Sequence, residues 1–251
     1  AGAIGTAMSE TLLGAGANVI IWSRTQDSID AALKKLSAIA ETEGRVRGLT
    51  CDTGKEDQVE TALKKSIQLF GQVDILVNGV GGNLGKSDFL DMDVEIFEKV
   101  LHLNLIAGLV IPTKALAAYW IDKGIKGNII NLTSMASYLP LSGVFGYDAA
   151  KSAVLNLTQA TAKEFAEHGI RVNAIAPGFF IGKQNKALLI DEKTGGYTDR
   201  GKAVIDHTPF GRFGKVSELA GATLFLASNQ AAGFVTGVSI PVDGGYLIQN
   251  I

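Results

Sequence analysis

Strand-like runs rich in Val and Ile alternate with helical stretches from one end of this chain to the other, and that alternation leaves few architectures open. Asn18–Trp22 reads as a strand after a helix over Ile4–Leu13, with Gly14 and Gly16 closing the helix. Ser28–Glu41 reads as a helix, Val46–Cys51 as a strand, Glu56–Phe70 as a helix and Val73–Asn78 as a strand. A long helix over Val94–Asp122 carries Asn104 and is expected to bend or crowd near Pro112. Strand Asn128–Leu132, helix Tyr147–His168, strand Arg171–Ala176, helix Ser217–Ser228 and strand Val238–Pro241 complete the series. Repeated strand–helix units predict an α/β fold, a doubly wound parallel sheet with right-handed crossovers.

At 251 residues, with 47% hydrophobic and 19% charged residues, the chain suits one core, so a single domain over residues 1–251 is expected. A net charge of −2 gives no electrostatic reason to expect nucleic acid or an anionic membrane as partner. The most apolar stretch, LIAGLVIPTKALAAYW, is broken by Pro112 and Lys114 and reads as too short for a membrane span. Cys51 is the only cysteine, which excludes an internal disulfide and suits a reducing, cytoplasmic setting. His102, His168 and His207 are scattered without metal-ligand spacing, so no metal is expected. One region breaks the pattern: Ile181–Phe213 is polar, holds Gly195, Gly196 and Gly201, and reads as an irregular lid or substrate-binding segment.

Chemistry concentrates around Tyr147 and Lys151, four residues apart at the start of a predicted helix and therefore on one face of it. An ammonium beside a phenol favours the phenolate and lowers a pKa that is ~10 when unperturbed. Such a tyrosine exchanges a proton with a substrate oxygen near neutral pH. Ser134, at the end of the strand GNIINLTS, supplies a hydroxyl to polarise the same oxygen. Together these groups serve carbonyl reduction or alcohol oxidation, given a hydride carrier. The Tyr-x-x-x-Lys spacing alone is weak evidence, and its weight comes from its surroundings.

The order strand, Ser, loop, Tyr, Lys, helix resembles the short-chain dehydrogenase/reductase family, and the resemblance covers almost the whole chain. It implies a Rossmann-type sheet of strand order 3-2-1-4-5-6-7 and a catalytic set of Asn104, Ser134, Tyr147 and Lys151, with Tyr147 and Lys151 also touching the cofactor. The opening AGAIG is similar to the tail of the family's Gly-rich turn, which assigns Gly2, Ile4 and Gly5 to a pyrophosphate, with Ala3 replacing the middle glycine. Because the chain enters at a helix, the first strand of that order is expected to precede Ala1, leaving the Val19 and Ile75 strands unpaired with each other. Asp52 matches an adenine-contacting aspartate, Asn78-Gly79 stands where the family has Asn-Asn, and Pro177-Gly178 matches the nicotinamide wall. Gly182 falls where the family commonly has a carboxamide-binding Thr, a role open to Lys183 or Gln184. Ser23 and Arg24, at the end of the strand NVIIW, suit the 2′-phosphate of NADP; Asp27 lies close by, and NAD stays the less favoured alternative. The helix from Tyr147 is apolar on more than one side, through Leu155, Ala162, Phe165 and Ala166, and the equivalent family helix packs between subunits, implying a homotetramer.

Within the family, VNGVGGN, APGFF followed by QNKALL, and HTPFGRFG are most similar to the sugar-acid dehydrogenases known as D-mannonate oxidoreductases. A carboxylated sugar wants a cation and hydroxyl-reading groups, and the 181–213 segment offers Lys183, Gln184, Asn185, Lys186, Arg200 and Arg212. The implied activity is an NADP(H)-dependent oxidoreductase on a small polar carbonyl/alcohol pair. Two alternatives stay open: a 3-oxoacyl-thioester reductase, which would want an apolar tunnel, and a non-catalytic dinucleotide-binding sensor, which would need no proton relay.

Overall fold

The structure is a computed structural model and describes residues 2–39, 44–182, 186–192 and 194–249. Its six strands all pair in parallel, in two ladders. β1 (Val19–Ser23) pairs with β2 (Val46–Thr50) in the register Val19 to Val46. β3 (Ile75–Asn78), β4 (Asn128–Leu132), β5 (Arg171–Pro177) and β6 (Ser239–Val242) follow one another in the second ladder. The Val19 and Ile75 strands belong to different ladders. Every residue of β5 and four of the five in β4 are buried, as expected of central parallel strands covered on both faces.

The alternation along β4 assigns the helices to layers. Ile129 packs with Leu63 of α3 (Glu56–Phe70), Leu116 and Trp120 of α5 (Ile111–Lys123) and Ala162 of α6 (Phe145–Phe165). The neighbouring Ile130 faces the other way, onto Met8 of α1 (Ala3–Gly14) and Leu226 of α9 (Ala220–Ala227). A period of two on the strand thus divides the core into two halves.

Where helices differ from the sequence reading, caps explain it. α2 runs Gln26–Leu36 rather than Ser28–Glu41, because Thr25 caps it through the Ser28 amide and Ser37 ends it; residues 40–43 lie outside the described residues. The predicted helix at Val94–Asp122 is a continuous helical rod in three pieces: α4 (Val94–Leu101), a π-helical segment (His102–Val110) and α5. Pro112 stands at the junction where the π-helical segment passes into α5. The rod, 30 residues over Val94–Lys123, is long and apolar enough to cross a membrane by length and composition, against the reading of a broken stretch. More than half of its most apolar window is nevertheless buried in the protein, where it packs on α3 and α6.

The 181–213 segment is also less irregular than expected. It forms α7 (Lys186–Leu189) and α8 (Asp199–Asp206), joined by a bridge between Ile190 and Tyr197. Leu189, Val204 and Phe213 make a small core of their own with Phe179, Ile190 and Ile205. α10 (Asn229–Ala232) leads from α9 towards β6.

Packing is close where the loop into β4 crosses α5. A Cβ added to Gly127 would lie 2.2 Å from the Trp120 ring, which is fully buried and donates from Nε1 to the Val73 carbonyl at 2.6 Å. Gly127→Ala is therefore expected to destabilise the fold by ~1–3 kcal/mol through overpacking. Thermal melting checks this; an unchanged midpoint would show that Trp120 repacks freely.

Candidate active site

The carboxyl ends of β3, β4 and β5 lie along one edge, and the predicted chemical groups collect there. Ser134 leaves β4 in extended conformation and caps a 3₁₀ turn over Met135–Ser137, its Oγ accepting from the Ala136 amide at 3.2 Å. That turn is tied to α6: Ser137 Oγ donates to the Lys151 carbonyl at 2.7 Å, and Ser152 Oγ to the Ala136 carbonyl at 3.4 Å. Tyr147, in the first turn of α6, brings its hydroxyl near enough to Ser134 for that side chain to act on the phenol. Lys151, one helical turn on, is buried and donates from Nζ to the Leu132 carbonyl at 2.8 Å, with Nζ 5.7 Å from the centroid of the Tyr147 ring. The spacing read from sequence does bring Ser134, Tyr147 and Lys151 together.

Asn104 lies in the π-helical segment and is buried. Its Nδ2 donates to the carbonyls of Gly82 (2.7 Å) and Val100 (2.8 Å), and its Oδ1 accepts from the Gly82 amide at 3.0 Å. The loop after β3 is thereby fixed to the helical rod through both the N–H and the C=O of one residue, Gly82. A Cβ on Gly81 would stand 2.6 Å from Asn104 Oδ1 and 3.4 Å from Lys151 Nζ, so this wall of the site must be glycine. Nothing in VNGVGGN as a sequence connects Gly82 with an Asn 22 residues away.

Electrostatics correct one expectation. Burial raises the Tyr147 phenol above its ordinary pKa; the Ser134 side chain works against this, and the Asp148 charge adds to it. The net shift is upward, against the lowering expected from the lysine, and burial disfavours the Lys151 charge as well, bringing the ammonium down to about 8. Tyr147 thus keeps its proton at neutral pH.

On the dinucleotide side, Gly2 caps α1, Ile4 and Gly5 lie in its first turn, and that turn holds no acidic residue. A Cβ at Gly2 or Gly5 would meet no atom within 4 Å. An open helix N-terminus of this kind accepts a phosphate on backbone amides and dipole alike, so these residues fit a dinucleotide. Ser23 ends β1, and Arg24 beyond it is exposed. Asp52 is half-buried, its Oδ1 accepting from the Gly54 amide at 3.1 Å. Gly79 follows β3, with only Leu132 near its Cβ position. Pro177 ends β5, and Gly178 passes so close to Asp243 that a Cβ would lie 2.6 Å from its Cα. Asn78 departs from its expected place. Its side chain is buried, donating to Thr113 Oγ1 at 3.0 Å and Asn131 Oδ1 at 2.9 Å, while Asn131 donates to Thr158 Oγ1 at 2.9 Å. The amide joins sheet to helices, so it is not free to read a ligand.

The substrate cations also fall out differently. Arg212 is held by the Glu218 carboxylate, at 2.9 Å from Nη1 and 2.6 Å from Nη2, a fork that holds Glu218 down to about 2. Arg200 is half-buried, near enough to Tyr246 for its charge to act on that phenol. Lys186 is exposed on α7, with its amide bonded to the Gly182 carbonyl at 2.9 Å. Lys183, Gln184 and Asn185 lie outside the described residues.

Comparisons with known proteins identify the family. A family model described as enoyl-(acyl carrier protein) reductase matches residues 1–247. The chain belongs to the short-chain dehydrogenase/reductase family. It is 37% identical to the uncharacterized oxidoreductase UxuB of Bacillus subtilis, over 99% of this chain and 92% of that protein. It is also 37% identical to the 2-dehydro-3-deoxy-D-gluconate 5-dehydrogenase of Escherichia coli, over 82% of this chain and 78% of that protein. Among solved structures it resembles a gluconate 5-dehydrogenase of Burkholderia cenocepacia in complex with NADP and tartrate, with TM-score 0.86 and 31% identity over 98% of this chain and 92% of that one. A provisionally assigned D-mannonate oxidoreductase from Haemophilus influenza with bound NAD superposes with TM-score 0.90 and 34% identity, over 99% and 92% of the two chains. As a member of this family the protein is an oxidoreductase of alcohol and ketone groups that uses NAD or NADP.

The buried lysine gives a test that needs no substrate. Lys151 titrates at about 8 in the folded chain and near its ordinary 10.5 when unfolded. Between those values the unfolded chain binds more protons, so the contribution of Lys151 to stability rises with pH. Denaturant titrations of wild type and Lys151→Met are expected to show wild type gaining about 3 kcal/mol on the variant from pH 8 to pH 10.5. A pH-independent difference would show that Lys151 is not desolvated.

Proposed function

We propose that the protein is an NADP(H)-dependent reductase of a small polar carbonyl, a sugar acid of the keto-gluconate or fructuronate type, with Tyr147 as general acid. The approach of the Tyr147 hydroxyl to Ser134, with Lys151 buried one turn behind, carries the reading. A carbonyl oxygen at the two hydroxyls accepts from both, and a phenol whose pKa is raised arrives protonated, as a reductase requires. The nicotinamide cofactor supplies the hydride to the carbonyl carbon. Tyr147 gives its proton to the oxygen and becomes phenolate, and the Lys151 ammonium, 5.7 Å from the ring, attracts the charge that forms. Asn104 does not touch the reacting oxygen in this account; it fixes Gly82 and so the wall beside Lys151.

Two observations support the finer assignments. Arg24 is exposed at the end of β1 next to Ser23, a pair suited to a 2′-phosphate. The relatives include 2-dehydro-3-deoxy-D-gluconate 5-dehydrogenases and a gluconate 5-dehydrogenase, whose names refer to carboxylated sugars and so support this reading.

Tyr147→Phe removes the transferable proton and keeps the ring. Turnover of keto-sugar acids is expected to fall by ~10²–10⁴ while cofactor affinity by fluorescence titration is unchanged; near-wild-type turnover would refute the assignment. For the cofactor, wild type is expected to show higher kcat/KM with NADPH than with NADH, and Ser23→Asp to invert the ratio by setting a carboxylate against the phosphate. A wild-type preference for NADH would exclude NADP.

A further inference from the structure

We infer that Lys86 is the cation that receives the substrate carboxylate, an inference that rests on the sugar-acid reading above. The loop after β3 carries it from the glycines beside Lys151 to the segment that precedes Tyr147. Gly81 and Gly82 form the wall against Lys151 and Asn104. Five residues after Gly82, the Ser87 amide donates to the Gly143 carbonyl at 3.1 Å, on the segment that leads into Tyr147. The loop therefore spans from the Asn104 side of the site to the Tyr147 side, and Lys86 lies at the far end of that span. The stem of Lys86 lies over Gly143: a Cβ there would be 2.8 Å from its Cγ and 2.9 Å from its Cε. Gly143 has φ 72°, so both its backbone and its missing side chain suit a lysine laid across it.

Beneath this loop is a cavity of about 190 Å³ whose polar lining is Lys86, Asn83, Ser87, Asp91 and Asp93 and whose remaining wall is largely apolar, with Ile96, Phe97 and Phe145 among it. Its charges are divided. Asp93 accepts from the Glu95 and Ile96 amides at the start of α4, and Asp91 is exposed beside it. Lys86 stands on the Gly143 side, exposed, and among the described residues no carboxylate pairs with it. An anion is therefore confined to the Lys86 side, while hydroxyl groups find acceptors at Asp91 and Asp93 and a donor or acceptor at Asn83 and Ser87. One cation at one side and hydroxyl-reading groups elsewhere is the pattern a carboxylated polyol needs. The cations of the 181–213 segment serve less well, since Arg212 is already forked onto Glu218.

Steady-state kinetics on a keto-sugar acid and on its neutral analogue, with the carboxylate replaced by a hydroxymethyl group, test this. In Lys86→Met the KM for the acid is expected to rise about tenfold or more, as for loss of one charge-assisted hydrogen bond. The kcat, the KM for the neutral analogue and the affinity for NADPH are expected to stay within twofold, and Lys86→Arg to restore the acid. A wild-type preference for the acid that survives in Lys86→Met would overturn the role of Lys86 alone. An equal rise in KM for both substrates would also overturn it, because that marks a structural effect on the loop. A wild-type enzyme that does not distinguish acid from neutral analogue would overturn the sugar-acid reading, and the Lys86 inference with it.

Discussion

A lysine ammonium taken out of water is the most demanding group in this fold, and much of the site is arranged around Lys151. Desolvating a cation is costly unless hydrogen bonds replace its water. The Leu132 carbonyl, at the end of β4, takes one of its three donors, which fixes α6 against the strand at the point where Ser134 begins. Ser137 bonds the Lys151 carbonyl from the opposite direction, so backbone and side chain of the same residue both hold the strand–helix junction. Tyr147 and Ser134 meet because Lys151 is anchored, and the incomplete solvation that remains is what brings its pKa down.

That anchoring needs room. Gly81 approaches Nζ with no side chain, and the peptide of Gly82 is gripped in both directions by Asn104. Asn104 can do this because the rod is π-helical there, and wider turns of this sort are often found at functional sites. Gly108, in the same segment, lets the Val80 carbonyl come within 2.7 Å of where its Cβ would be. Behind the site, the buried chain Thr113–Asn78–Asn131–Thr158 ties the ends of β3 and β4 to the helices that carry these groups. Each polar atom removed from water there has a partner, the condition under which a buried network stiffens a fold instead of weakening it.

The parts legible in the sequence were those where one local signal decides. Helix α3 and strand β4 fall on the predicted residues, one stopped by Gly71 in a left-handed conformation, the other an apolar run after Gly127. The Ser134, Tyr147 and Lys151 constellation was readable because a four-residue spacing on a helix fixes a common face. The π segment was not, since HLNLIAGLV is apolar nearly throughout and gives no period from which to read a wider turn. The helices after Ile181 were hidden by shortness: four residues in α7 and eight in α8, separated by Gly195 and Gly196, draw their stability from Leu189, Val204 and Phe213 rather than from propensity. The direction of the Asn78 amide and the partner of Arg212 depend on tertiary contacts, and the rise in the Tyr147 pKa depends on burial. None of these has a sequence signal.

The two halves of the site are held by different means. Proton-transfer groups sit on β4, α6 and the helical rod, all built into the main core. The segment from Phe179 to Phe213 has its own small core and is fastened to the sheet at β6. There the Asp243 carboxylate accepts from the Gly245 and Leu247 amides, both at 2.9 Å, and holds the chain in a turn. Tyr246 then packs its ring between Phe179 and His207, at 5.1 and 4.5 Å between centroids. The Phe210 amide donates to the Gly244 carbonyl at 3.1 Å, and Gly245 passes Pro209 at a distance no side chain would permit. Residues 243–246 thus clasp both ends of α8's surroundings. A segment fastened this way can vary in what it contacts while the hydroxyls and the ammonium keep their geometry, which is how one proton-transfer apparatus serves many substrates in a family built on a common sheet.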